Sequence, residues 1–207
     1  MARYNEPKCR LCRRAGKKLF LKGDRCFSPK CPVDKKGAVP PGQHGQKRRS
    51  RMTDYKEQLT EKQKAKEIYG VLERQFRIYF KRALVKKGVT GEALLQLLES
   101  RLDNIIYRLN FSPSRSAARQ MVRHGHVLVD NRKVTIPSYQ VKKGQIITLS
   151  ARAVKIPAVK KILGEKRGEV PSWLQRKAAA GKMMGLPSRD EIGTEINEHL
   201  IVEYYSR

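Results

Sequence analysis

"LESRLDNIIYRLNFSPSRSAARQMVRHGHV", Leu98 to Val127, lies near the middle of a chain of 207 residues. Leu94, Leu98, Leu102, Ile105 and Leu109 recur at helical spacing through its first half and mark a buried stripe. Glu99–Ser100 offers a break in that stripe. Pro113 and Ser114 then start a second, short helix. In it Ala117, Ala118, Met121 and Val122 face inward, while Arg115, Arg119 and Arg123 recur every four residues on another face. The chain turns at Gly125. "VLV" (127–129) leads into Asp130-Asn131, where Asn tolerates the left-handed backbone of a tight turn, and a strand resumes through Val134. "KKG" (142–144) before "QIITL" (145–149) marks one more turn and strand. Two helices followed by a small hairpin-rich sheet give an α+β unit, mainly antiparallel.

Upstream the periodicity is helical. "TDYKEQLTEKQKAKEIYG" (53–70) can open with Asp54 as cap and Glu57 three residues on, and Gly70 can stop it. "LERQFRIYFKRALVKKG" (72–88) puts Leu72, Phe76, Tyr79, Phe80, Ala83 and Leu84 on one face, and the aromatics read as core. Thr90 can cap the helix that carries the leucine stripe. Downstream, "KRGEVPSWLQRKAAAGKMMGLPSRDE" (166–191) reads as loop with one short helix. The tail from Ser188 to Arg207 holds five acidic and two basic residues, so it should face protein. There Leu200, Val202 and Tyr204 alternate as in a strand, whereas Ile196 and Leu200 suit a helical turn.

Forty-six Lys plus Arg against nineteen Asp plus Glu leave a net charge of +27. Such an excess calls for a large anion, nucleic acid first and an anionic membrane surface second. No uninterrupted apolar run exceeds three residues, which excludes a spanning helix and the apolar core of a signal peptide. A cytosolic chain with reduced thiols is expected.

All four cysteines fall in "CRLCRRAGKKLFLKGDRCFSPKC" (9–31), spaced Cys9-x2-Cys12 and Cys26-x4-Cys31. Two close pairs joined by a short loop meet the needs of tetrahedral thiolate ligation. Gly16 and Gly23 let the loop turn; Pro29 and Pro32 stiffen the second pair. The cations between the thiols should lower their pKa values. The reading is a closed structural metal site, zinc or a four-iron four-sulfur cluster, with two disulfides or four unligated thiols as the alternatives. A thioredoxin-type pair lacks its βαβ surroundings. Four protein ligands leave no open position, so the metal would stabilise a small knob without doing chemistry.

"PVDKKGAVPPGQHGQKRRSR" (32–51) reads as an extended basic arm without a core of its own. Residues 1–50 carry fifteen basic and three acidic side chains, net +12. The candidate nucleic-acid contacts on the knob are Arg3, Lys8, Arg10, Arg13, Arg14, Lys22 and Arg25. On the arm they are Gln43, His44 and Gln46, whose hydrogen bonds can read sugar or base edges, with Lys47, Arg48, Arg49 and Arg51. In the quoted stretch and its hairpin they are Arg101, Arg108, Ser114, Arg115, Arg119, Arg123, His124, His126 and Arg132. Arg101 also has Asp103 within reach as an internal partner. Arginine suits a phosphate held in a fixed direction, because its planar fork donates two parallel bonds.

The stretch from Leu98 to Val122 resembles, without a gap, the RNA-binding module named after small-subunit ribosomal protein S-four. The whole chain is similar to that bacterial ribosomal family: the four-cysteine amino terminus, "PPGQHGQKR" (40–48), "YGVLERQFR" (69–77) and "NEHLIVEYYSR" (197–207) occur in the family's order. The resemblance implies a cytoplasmic protein of the small ribosomal subunit that binds the 5′ domain of 16S rRNA and nucleates 30S assembly. It implies contact with small-subunit protein five and other 30S proteins, a place near the channel through which mRNA enters, and influence on decoding accuracy. It implies repression of its own operon in some bacteria, and neither a membrane nor a small-molecule substrate. Zinc-type members carry four thiols matching Cys9, Cys12, Cys26 and Cys31. The implied domains are a knob and arm at 1–45, a helical domain at 46–97 completed by 163–207, and an inserted RNA-binding module at 98–162. Two departures stand out: Asp130-Asn131 where Asn-Gly is usual, and Gln145 where an acidic residue often follows the glycine. Both predict a slightly weaker hairpin.

Two other readings compete. Pseudouridine synthases carry the same module, and "SRLD" (100–103) looks like their catalytic arginine–aspartate motif, yet Asp103 falls inside the module's first helix and no catalytic domain surrounds it. A zinc-finger DNA regulator would need a strong amphipathic helix after the second cysteine pair, which is missing. No Ser/His/Asp order or phosphate-cradling glycine loop supports other chemistry.

Overall fold

The computed structural model describes residues 3–46, 51–164 and 169–206. Two compact units emerge, Met1–Gly91 with Thr194–Arg207, and Glu92–Gly193. The carboxy-terminal return to the first unit thus begins at 194, later than the 163 drawn from sequence, because residues 174–183 are strands of the second unit's sheet.

The first unit opens with three short helices, α1 (Lys8–Ala15), α2 (Asp24–Phe27) and α3 (Pro32–Lys36). Gly16 ends α1 with φ 74°, a conformation that a residue without Cβ adopts at no steric cost. The stretch read as an arm without regular structure therefore begins with a helical turn. Pro32 starts it, where a missing N–H costs nothing. α4 (Asp54–Tyr69) is capped by Thr53, one residue earlier than expected: its Oγ1 accepts the Lys56 N–H at 3.4 Å. Gly70 stops it at φ 62°. α5 (Glu73–Val85) buries Phe76, Tyr79, Phe80 and Ala83 as its periodicity predicts. Leu72 and Leu84 share that spacing but stay exposed, since they fall at the two ends of the helix where the partners run out.

α6 (Thr90–Glu99) and α7 (Leu102–Arg108) are separated by Ser100 and Arg101, so the break falls where the leucine stripe allowed one. α8 (Arg115–Arg123) starts on Ser114, whose Oγ accepts the Ala117 N–H at 3.3 Å. The sheet has five antiparallel strands in the order β2-β1-β3-β5-β4: β1 (Val127–Val129), β2 (Arg132–Lys133), β3 (Ile146–Leu149), β4 (Leu174–Lys177) and β5 (Ala180–Met183). Between β3 and β4 lie α9 (Ala151–Val154) and α10 (Pro157–Gly164). Leu102, Ile105, Ile106, Leu109, Phe111, Val122, Val127 and Ile147 are fully buried in one core, each contributing about 1.5–3 kcal/mol of burial.

The β4–β5 hairpin overturns the loop read at 166–191. Its strands contain no β-branched residue, and its two-residue turn holds Ala178 at φ 48° without a glycine or asparagine. Pairing with β3, Ile146 to Lys182 and Thr148 to Ala180, makes this segment a strand. Gly181 is needed there: a Cβ on it would lie 2.4 Å from Leu109 Cδ1.

The β1–β2 turn brings together the two residues expected to weaken it. Asp130 and Asn131 both adopt positive φ, 47° and 63°. Gln145 Nε2 donates to Asp130 Oδ2 at 2.8 Å, and Asp130 Oδ1 accepts the Ile146 N–H at 2.9 Å. The two departures from the family pattern are partners. The amide just before β3 donates to the acid of the turn.

The acidic tail is helical: α11 (Glu198–Ser206) packs on α4. Gly91 permits this, since a Cβ there would lie 2.6 Å from Glu198 Cγ. The Tyr205 ring stacks on Phe80 at 4.5 Å, its hydroxyl donates to Glu73 Oε1 at 2.8 Å, and Lys62 lies 4.2 Å over Tyr204. Burial pushes the Glu73 carboxyl up, but hydrogen bonds from Lys66 and Tyr205 and the charges of Lys66 and Lys62 outweigh it and hold the carboxyl at about 2. The tail does face protein, and that protein is its own chain. Among the described residues no helix is long and apolar enough to cross a membrane.

Candidate nucleic-acid interface

Four of the predicted RNA-contacting arginines turn inward. Arg101, 1% exposed, donates from Nε and Nη2 to the two oxygens of Asp103 at 3.0 and 2.6 Å. Arg119 Nη1 reaches the same carboxylate at 3.4 Å from α8. Arg108 grips Glu99 through two parallel bonds of 2.9 and 2.7 Å. Asn104 Nδ2 also donates to Glu99, at 2.6 Å, and Asn104 Oδ1 accepts from Arg115 Nε at 2.7 Å. The Arg115 guanidinium lies 4.5 Å from the Tyr107 ring centre. The four-residue period of Arg115, Arg119 and Arg123 was real, but α8 packs on α7, which carries Asp103, and a buried carboxylate requires paired cations. Arg101 and Arg119 thus have no surface to offer RNA. Ser114, 8% exposed, is committed to its cap. Arg108 and Arg115 keep part of their surface.

What remains outside is basic. Arg123 and His124 end α8 exposed, with the half-buried His126 ring 6.0 Å from His124. Arg132 and Lys133 form the exposed edge strand β2. Lys133 lies across Gly125, with its Cε 2.0 Å from where a Cβ would stand, which joins the two groups into one patch. Sequence reasoning missed Lys133, although its place beside Arg132 on a polar edge strand was the signal.

In the first unit Arg10, Arg14, Lys22, Arg25, Gln43, His44, Gln46 and Arg51 are exposed. Arg3 donates to Asn5, and Lys8 to the Tyr4 carbonyl. Arg13 is spent on the backbone: its Nε and Nη2 donate to the carbonyls of Val39 and Pro40 at 2.8 and 3.3 Å, tying the arm to α1. Lys47, Arg48 and Arg49 lie outside the described residues. Arg74, Arg77 and Lys81 line an open cleft on α5 with Glu73 and Ile78; their i, i+3, i+7 spacing was legible and was passed over.

The four cysteines lie around one small cavity. Cys9 and Cys12 stand on α1, Cys26 on α2 and Cys31 just before α3, and Leu21 and Val33 line the cavity with them. Cys12, Cys26 and Cys31 are buried, and all four thiols are free. Lys22 N–H donates to Cys26 Sγ at 3.3 Å. Burial pushes the Cys12 thiol up, against a backbone hydrogen bond from Leu19. The neighbouring cations were expected to lower it; for Cys12, desolvation wins. Among the described residues no group of three or more His, Cys, Asp or Glu side chains is arranged to hold an ion. The donor set fits a thiophilic metal, which would have to draw the sulfurs into its own shell.

Two family models match adjoining parts of this chain: "Ribosomal protein S4/S9 N-terminal domain" over residues 3–99 and "S4 domain" over residues 100–147. The chain is 53% identical over 209 residues to "Small ribosomal subunit protein uS4A" of Symbiobacterium thermophilum, and 52% over 210 residues to "Small ribosomal subunit protein uS4" of Natranaerobius thermophilus. It is 50% identical over 210 residues to the protein of that name from Thermus thermophilus. Each alignment covers all of both chains. With identity at this level over the full length, and with the helix pair and hairpin of the S4 domain in place, the chain belongs to the uS4 family of ribosomal proteins.

Proposed function

We infer that the chain is a structural constituent of the small ribosomal subunit in the cytoplasm, and that its work is to grip 16S rRNA. One observation carries the reading. The carboxylates of the module's helices, Glu99 and Asp103, are buried against arginines, so the exterior around the α8–β1 turn and β2 is dominated by Arg123, Arg132 and Lys133. Folded RNA offers phosphates and 2′-hydroxyls to such a surface. An enzymatic role is disfavoured at the same place. A catalytic aspartate must touch substrate, and Asp103 is closed off by Arg101 and Arg119.

The finer reading follows the family. The target is the 5′ domain, bound early in 30S assembly. Protein five and other 30S proteins are the neighbours, and mRNA passes nearby where it enters; accuracy of decoding depends on that position. Zinc held by Cys9, Cys12, Cys26 and Cys31 is part of the same reading, supported by their shared cavity and by the N–H donors aimed at Cys26 and Cys12. A bound Zn²⁺ would supply folding free energy to the knob.

The test is a salt series on the intact protein with the 16S 5′ domain and with tRNA. If six to ten phosphates are contacted, affinity for the 5′ domain falls by about 10³–10⁵ between 50 and 200 mM salt, and exceeds that for tRNA throughout. Equal affinity for both RNAs would overturn the reading.

A further inference from the structure

Phe20 and Phe27 stack on each other on the surface of the knob, with ring centroids 5.0 Å apart and an interplanar angle of 25°. They are 39% and 72% exposed. Leu19, beside Phe20, is 4% exposed, so the knob has an apolar interior that these rings do not enter. Phe20 holds φ 50°, a left-handed conformation that is an outlier for a bulky residue and that persists only where the surroundings enforce it. Exposed Lys22, Arg25 and Lys30 flank the two aromatics along the chain, with Asp24 the one acid among them.

We propose that Phe20 and Phe27 form a stacking platform that takes an unpaired nucleobase of the bound RNA. This rests on the RNA reading above and names a mode of contact within it. An open ring face with exposed cations close to it along the chain complements a nucleotide, which is a π face attached to a phosphate. The same cations oppose an apolar protein patch, which would have to desolvate them. A paired duplex shows no free base face, so the occupant is a base splayed out of its helix.

The experiment compares full-length protein carrying Phe27→Leu or Phe27→Trp with the unsubstituted chain, on 16S rRNA across a salt series, with short-wavelength ultraviolet cross-linking mapped by mass spectrometry. Phe27→Leu keeps apolar bulk but removes the π face; it should weaken binding about fivefold to a hundredfold. Its salt slope should match the parent's, because no charge is lost. Phe27→Trp should retain affinity and cross-link a base at position 27. Unchanged affinity in Phe27→Leu, or equal losses in both variants, overturns the platform and leaves the RNA reading standing. No salt-sensitive binding by the unsubstituted chain overturns the RNA reading itself. Circular dichroism of each variant verifies the fold, which an exposed side chain should leave intact.

Discussion

Asp103 is 4% exposed and faces two guanidinium groups, Arg101 and Arg119. Removing its charge would take this counter-charge from two buried cations, and breaking a buried pair costs about 3–5 kcal/mol. Asp103→Asn should therefore lower the urea midpoint sharply. Arg123→Ala removes an exposed cation: it should leave stability within about 0.5 kcal/mol and reduce the salt slope of rRNA binding by about one. If the two variants exchanged these effects, the division between inner and outer arginines would be wrong. That division was only half legible in the sequence. The arginine period is visible in one helix, but Arg108 finds its carboxylate nine residues upstream and Arg119 sixteen residues upstream, and spacing within a helix carries no such information. Asp130 and Gln145 teach the same lesson. Each looked like a weakening departure, and only the fold brings them within 2.8 Å of each other.

At the level of elements, local signals succeeded where the chain decides its own conformation. Gly70 stops α4, Ser114 caps α8, and the apolar stripe buries α7. They failed for β4 and β5, whose strand character comes from pairing with β3, and they left the tail undecided because its apolar positions fit two periods. The docking of α11 makes a prediction of its own. Its partners hold the Glu73 carboxyl at about 2 in the folded chain against about 4.5 when unfolded, so its contribution is complete above about pH 5 and disappears as pH falls toward 2. Glu73 is about a third exposed, and solvent trims the gain to about 1 kcal/mol. Urea melts of Glu73→Gln and the parent should differ at pH 6 and converge below pH 3. Glu67 works in the opposite direction. Burial pushes its carboxyl up to about 7, against the charges of Arg14 and Lys66. Its ionisation therefore withdraws stability as pH rises from about 4.5 through 7.

For the whole molecule, net charge was the most transferable signal, because a +27 chain needs a polyanion whatever its fold. The knob buries Leu19 and three cysteines with little else, so a metal would dominate its stability. Dialysis against a strong zinc chelator should expose four reactive thiols and flatten the circular dichroism of α1 to α3, while α4, α5 and the sheet keep theirs. Unaltered thiol reactivity after chelation, with no zinc released, would remove the metal from the account.

The first unit is stitched shut by a stretch that is made only after all of the second, Thr194 to Arg207. Translation therefore delivers the two units out of step. The Glu92–Gly193 portion has the five strands of its sheet before α11 is made, whereas α4 and α5 must await that helix. A stop codon placed at Thr194 would spare the unit made second and cripple the unit begun first.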